Sequence, residues 1–286
     1  MTLPLAMKGR LAECLLFSYR TPARSVRHLV PSCMELETRQ GWAFWNIVAC
    51  RVEAMRPAGA PARLGVGYHH VAYRLHVKAR TAAGETLRGL YFVRSDADSG
   101  LVGGFGNWLT HFRFHRANVE LSRLRPPPKA GVAAADVLTL AVQGRGRGEE
   151  SEADEADALV RVVAGADGRG ATPTPPFGSP FATPEQAAEF LKYCPLGVAV
   201  DLDGRFFELA EVVRDESMWR EQPVRVIEAH WNFFRRLGQD ELHLERATRV
   251  EPLEYRWRLG RRLPVARPQT PAPVTGRPAR PVRAAA

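Results

Sequence analysis

The chain has 286 residues, 45% hydrophobic and 25% charged. That is the composition of a globular protein able to bury a core without disulfides or metal. Its longest nearly apolar run, Trp42 to Cys50, is nine residues and contains Asn46. A spanning helix needs about 20, so no transmembrane helix and no membrane partner are expected.

The net charge of +9 raises nucleic acid as a partner. Four of those charges, Arg267, Arg277, Arg280 and Arg283, lie in the acid-free last 23 residues, which leaves +5 for the body. Arginine also dominates the cations, with lysine only at positions 8, 78, 129 and 192. Compositional bias accounts for such a surface as well as function does, so nucleic-acid binding is not the expected role. The N-terminus lacks the basic-then-apolar order of a signal peptide, and a cytoplasmic location is expected. Cys14, Cys33, Cys50 and Cys194 are far apart with no CxxC, so buried thiols are expected rather than a disulfide or zinc framework.

Along the chain, Thr21-Pro22 predicts an N-cap and first helical proline, opening a short helix to about Val30. Trp42 to Val52 is an apolar, β-rich run, as in a strand covered on both faces. Val71, Tyr73, Leu75, Val77 and Ala79 alternate with Ala72, Arg74, His76, Lys78 and Arg80, a period of two that predicts a strand. Ala83-Gly84 is a turn and Leu87 to Val93 the returning strand. Asp98 or Ser99 caps a short helix through Leu109, weakened by Gly103, Gly104 and Gly106. His111 to Leu121 is a further strand. Val137–Val142 and Leu159–Val163 are hairpin arms around an acidic loop with six acids between Glu149 and Asp157.

Thr183-Pro184-Glu185-Gln186 is a capping box with proline at the first turn, predicting a helix to about Tyr193. Val198 to Val213 reads as a hairpin turning at Asp203-Gly204, and Arg225–Phe234 and Tyr255–Leu259 as late strands. Pro126-Pro127-Pro128 is a stiff break. The tail from Pro264 has six prolines in 23 residues and is expected to be disordered. Many strands and few helices predict an α+β, mainly antiparallel β fold: a curved β-barrel or sandwich with a few flanking short helices.

Arg74, His76 and Lys78, extended by His70, form a basic row on one side of the 71–80 strand. Lining an interior, that row would hold a carboxylate, which arginine grips bidentately; facing water, it is simply the solvated side of a strand. His111 and His115 are four apart, but there is no HExxH and no adjacent acid, so no metal is expected. Arg88 to Val93 only partly matches an RNA-recognition strand, because Leu90 and Ser95 replace the stacking aromatics. Val102 to Gly106 fits neither GxGxxG nor a phosphate loop, and no GxSxG elbow is present; no cofactor is expected.

Several motifs, in order, resemble the YqjF-like bacterial family of unknown function. They are Leu15-Leu16-Phe17-Ser18-Tyr19, His28-Leu29-Val30-Pro31 and Gly41-Trp42-Ala43-Phe44-Trp45. Tyr73-Arg74, Gly89-Leu90-Tyr91-Phe92 and Ser95-Asp96-Ala97-Asp98 continue the series, with looser agreement at Phe190-Leu191 and His230-Trp231. That family is similar in fold to acetoacetate decarboxylase, so the resemblance implies a barrel whose lumen binds a small molecule. It implies one such domain over residues 1–263, with the acidic loop 144–158 inserted and a tail over 264–286.

The decarboxylase works through a lysine imine, and its lysine falls on the strand that corresponds to Gly89–Ser95. This chain has Arg94 and Ser95 there, and arginine stays protonated, so that chemistry is not carried over. YqjF-like strands commonly read Glu-x-Asn-x-Arg where this chain has His70-Val71-Ala72-Tyr73-Arg74; the arginine is kept and the acid and amide are lost. The expected role is thus binding of a small anionic metabolite, with no assignable catalysis. Arg74 is the anchor, joined by His70, Tyr91 and Arg94. The alternatives are a lyase acting on a small keto acid through Lys78, with Arg74 lowering its pKa, and non-specific nucleic-acid binding through the basic surface and tail. Self-association is left open by the sequence.

Overall fold

The computed structural model describes residues 5–100, 112–125, 135–144, 157–164, 175–192 and 194–266. Most of the predicted glycine-rich helix, the triple proline, most of the acidic run and most of the tail fall outside these ranges. The described strands, in chain order, are β1 (Leu5–Pro22), β2 (Met34–Leu36), β3 (Trp42–Pro57), β4 (Val66–Arg80), β5 (Thr86–Ala97), β6 (Phe114–Leu124) and β7 (Asp136–Gly144). They continue as β8 (Ala158–Ala164), β9 (Leu196–Val200), β10 (Phe206–Arg214), β11 (Glu221–Pro223), β12 (Arg225–Trp231), β13 (His243–Val250) and β14 (Leu253–Pro264). The helices are short: α1 (Ala23–Val26), α2 (Pro184–Leu191) and α3 (Asn232–Arg236). The fold is mainly antiparallel β with a few short helices, as the pattern predicts.

Seven strands close on themselves in the order β1-β3-β4-β5-β9-β10-β14 and back to β1. All of these pairings are antiparallel except the short parallel contact of β5 with β9 at Leu90↔Gly197 and Tyr91↔Val198. A second sheet, β6-β7-β8-β12, joins the ring through a parallel contact of β5 with β6 at Ser95↔Phe114.

Because side chains alternate along a strand, the ring wall has an inner and an outer set. Cys14, Val48, Cys50, Ala72 and Phe92 belong to the inner cluster with Ala210 and Tyr255. Leu15, Phe17, Trp45, Ile47, Tyr73 and Leu75 point outward and pack with Leu138, Leu140 and Val160 of the second sheet. Both faces of β3 and β4 are therefore buried, which explains the unbroken apolar run from Trp42. Phe233 and Phe234 of α3 fill the outer core against Tyr73 and Trp45, with ring centroids 4.3 and 4.9 Å apart.

α2 covers part of the ring. Thr183 Oγ1 accepts a hydrogen bond from the Gln186 N–H at 3.3 Å, and Gln186 Oε1 accepts from the Ala182 N–H at 3.2 Å, so the predicted cap is present. Its Phe190 and Leu191 pack with Phe44 and Phe181. The β9–β10 hairpin turns at Gly204, whose φ of +67° is a conformation glycine adopts without a side-chain penalty.

Two local expectations are corrected. β1 runs through Thr21 to Pro22, and Pro22 occupies the N-cap position instead of the first helical turn. Only Ala23–Val26 are α-helical, followed by a 3-10 turn over Arg27–Leu29. Thr21 Oγ1 caps nothing and donates instead to the Glu241 carbonyl at 2.9 Å, tying β1 to a distant segment. The predicted strand over 225–234 stops at Trp231, where α3 begins. Burial of both Phe233 and Phe234 outweighs the local β preference of the run.

Candidate functional site

The basic row of β4 divides by depth. His70, Arg74 and His76 are 4%, 2% and 3% exposed, whereas Lys78 is half-exposed. Arg74 faces the ring interior, held from β3 by Asn46: its Nη2 donates to Asn46 Oδ1 and its Nε to the Asn46 carbonyl at 3.5 Å. Its guanidinium lies 5.5 Å from the Phe92 ring centroid. Those contacts fix the group's direction.

A cavity of about 490 Å³, including its open mouth, begins at this guanidinium. Its polar-bearing lining comes from His70, Arg74, Arg214, Trp219, Tyr255 and Trp257. Arg214 stacks on Trp219, with its guanidinium carbon 3.6 Å from the ring centroid, and its Nε donates to Glu216 Oε1 at 2.9 Å. The indole Nε1 of Trp257 and the His70 Nε2 are buried with no hydrogen-bond partner among the described residues. The walls are otherwise apolar or thiol, with Cys14 and Cys50 facing each other across β1 and β3. No acidic residue is among the described residues that line it.

Burial sets the protonation states. Desolvation first, and the Arg74 charge second, push the His70 pKa down to about 3, so this imidazole is neutral at neutral pH. Burial raises the Cys50 thiol to about 12 and the Cys14 thiol well above its ordinary value, leaving both as inert thiols. The result is a narrow apolar chamber with two guanidiniums, a neutral imidazole and an indole N–H. Such a donor set is complementary to a carboxylate, which accepts charge-assisted hydrogen bonds.

The other predicted site residues lie elsewhere. Register partners change from Tyr73↔Arg94 to Arg74↔Phe92, so Val93 is an extra residue in β5. The bulge leaves Phe92 inward with Arg74 and turns Arg94 outward with Tyr73. Arg94 pairs with Asp96 at 2.8 Å and Asp157 at 3.3 Å beneath the second sheet. Tyr91 also packs in the outer core, under Arg113, whose guanidinium carbon is 5.7 Å from its ring centroid. Lys78 Nζ is 3.9 Å from Glu37 Oε1, which Arg88 also holds at 2.6 Å. No described lysine lines the cavity. His111 lies outside the described residues, and His115 sits opposite Asp96. Among the described residues no three His, Cys, Asp or Glu side chains gather to hold a metal ion.

Sequence reasoning missed Arg214, Trp219 and Trp257, which the ring brings to Arg74 from over 130 positions away. One signal was available: in the 206–214 strand Ala210, Val212 and Arg214 share a face. The predicted hairpin ended at Val213, one residue short.

The closed ring with an outer sheet defines an acetoacetate decarboxylase-like fold. The solved structure titled "Enduracididine biosynthesis enzyme MppR complexed with pyruvate" matches with a TM-score of 0.50 at 12% identity, covering 93% of this chain and 91% of that one. An acetoacetate decarboxylase-like enzyme from Sphingomonas wittichii RW1 matches with a TM-score of 0.50 at 14% identity, over 92% and 93% of the two chains. Acetoacetate decarboxylase from Legionella pneumophila matches with a TM-score of 0.50 at 13% identity, over 90% and 87%. A search of curated proteins finds no match. The chain belongs to the DUF2071 family, "Uncharacterized conserved protein (COG2071)", whose model matches residues 8–175. Among the described residues no helix is long and apolar enough to cross a membrane.

Proposed function

We propose that this protein binds a small carboxylate inside the strand ring, with Arg74 gripping the carboxylate. The observation that carries this reading is the buried Arg74 guanidinium at a chamber with no acidic residue among the described lining. An entering carboxylate would accept charge-assisted hydrogen bonds from the Arg74 guanidinium in surroundings of low polarity, where such bonds are strong. His70 and Trp257 supply further polar atoms for a second oxygen of the ligand.

An imine mechanism needs an amine at the ligand, and the described lining has none, so binding without assigned catalysis is the function that the geometry supports. Pyruvate, which the MppR structure holds, is the natural first probe.

A thermal-shift screen tests the proposal, with pyruvate set against its neutral amide. Ligand at a hundred times Kd adds about 2.7 kcal/mol to the folded state, a rise in Tm of roughly 5–10 °C for a protein of this size. Small acids should give that shift and pyruvamide should not. Equal shifts from acid and amide, or none from any small acid, would overturn the proposal.

A further inference from the structure

Cys14 and Cys50 are register partners on the neighbouring antiparallel strands β1 and β3, and both line the ring chamber. Directly opposed residues on one face of such a pair have Cβ atoms about 4.5–5.5 Å apart. The sulfurs are near neighbours, and Cys50 is second only to burial in raising the Cys14 pKa. Both are free thiols, 1% and 6% exposed, in one buried cluster with Leu11, Val48 and Phe92. On the other side of β3, His70 is the register partner of Cys50. Its buried Nε2 has no hydrogen-bond partner among the described residues.

This donor set is selective. Hard ions such as Ca²⁺ and Mg²⁺ are bound through oxygen, and no acidic residue is among the described lining. Zinc takes a third and usually a fourth protein ligand, and iron–sulfur clusters take further cysteines; the described residues gather no such set. Cu(I) is a soft, closed-shell ion that favours thiolates and accepts two of them alone. With bonds near the zinc–thiolate length of about 2.3 Å, a linear sulfur–metal–sulfur unit spans about 4.6 Å, which facing cysteines at this Cβ separation can bridge.

We propose that Cys14 and Cys50 form a binding site for Cu(I), held between their two thiolates inside the ring. The site goes beyond the carboxylate reading and does not depend on it. On binding, each thiol gives up its proton, two sulfur–copper bonds form and copper keeps its oxidation state, so the unit carries one negative charge. Protonated thiols are poor nucleophiles, but a soft cation displaces their protons as it binds. Burial opposes that charge, and the Arg74 guanidinium in the same chamber favours both thiolates.

Anaerobic titration of the reduced full chain with Cu(I), buffered by bicinchoninate, tests the proposal. One equivalent should bind and release about two protons into a weakly buffered dye solution. Because two protons leave, apparent affinity should rise by about a hundredfold per pH unit around neutrality. No copper bound, one proton or none released, or a rise nearer tenfold would overturn the site. Pyruvate binding with no copper binding would remove the thiol site alone.

Variants locate the ion. Cys14→Ser and Cys50→Ser should each weaken Cu(I) binding by at least about a hundredfold, more than loss of an outer partner costs, with the double variant Cys33→Ser, Cys194→Ser within about twofold of wild type. Ligand-free Tm checks that each is folded, and the proton count on wild type stands whichever of them folds. Copper retained by folded Cys14→Ser or Cys50→Ser, or lost with Cys33 and Cys194, would place the ion elsewhere and contradict the proposal.

Discussion

Arg74 and Arg94 stand on hydrogen-bonded neighbouring strands, yet they project to opposite sides of the ring wall. The extra residue at Val93 shifts the pairing from Arg74↔Phe92 to Tyr73↔Arg94. A slip of one residue reverses which face a side chain occupies. Arg74 thus enters the cavity, while Arg94 joins Asp96 and Asp157 under the second sheet. Two arginines that the sequence offers as one anion site serve a chamber and a structural ion network.

The position of Lys78 makes a chemical prediction. Its amine lies beside Glu37, half-exposed, and not in the cavity lining. Incubation with pyruvate and borohydride should leave Lys78 unmodified in a peptide map, whereas a reduced adduct there would reopen imine chemistry.

Acid sensitivity follows from the buried histidines. His70 and His76 both have pKa values lowered to about 3, first by burial and then by Arg74. Unfolded histidine takes up a proton below about pH 6.5, and the folded chain resists it, so the unfolded state gains protons as the pH falls. Stability from each histidine is therefore full above pH 6.5 and is lost on the way down towards pH 3, by up to roughly 1.4 kcal/mol per pH unit. His76 stacks on Phe190, so His76→Phe keeps a ring there. Urea denaturation at pH 7 and pH 5 should show a shallower loss in His76→Phe than in wild type; equal losses would exclude His76 as a contributor.

The buried pair Arg20–Glu245 makes a stability prediction. Their side chains are 4% and 0% exposed, and Glu245 also accepts from Ser179 Oγ at 2.7 Å. Glu245→Leu strands the guanidinium and should cost about 3–5 kcal/mol. Adding Arg20→Met should recover much of that loss in equilibrium denaturation. A double variant less stable than Glu245→Leu alone would refute this account of the pair.

The cap of α2 is a smaller contribution. Thr183→Ala removes the acceptor for the Gln186 N–H and should lower stability by about 1 kcal/mol, while Thr183→Ser should be nearly neutral. Equal stability of the alanine variant in urea would show that the cap contributes nothing.

How much of this was legible in the sequence depends on whether local pattern or distant pairing decides an element. The capping box at Thr183, the hairpin at Gly204 and the alternation of β4 are local, and all were readable. β1 was not, although its 18 residues hold the ring together. It is buried on both faces over much of its length and carries bulges between Lys8 and Arg10 and between Leu11 and Glu13, so it shows no period of two. The site was half legible. Arg74 and His70 follow from alternation on β4. Arg214 and Trp257 reach them only through ring closure, and the bulge at Val93 that expels Arg94 has no signature in composition or spacing.

The measurement that bears most directly on the central claim is the pyruvate Kd, by calorimetry, of wild type, Arg74→Gln and Lys78→Gln, each confirmed as folded by circular dichroism. Loss of charge-assisted hydrogen bonds should weaken Arg74→Gln by about tenfold to a hundredfold, with Lys78→Gln within about twofold of wild type because surface charges contribute little. Undiminished binding by Arg74→Gln, or a loss confined to Lys78→Gln, would contradict a carboxylate site in the ring.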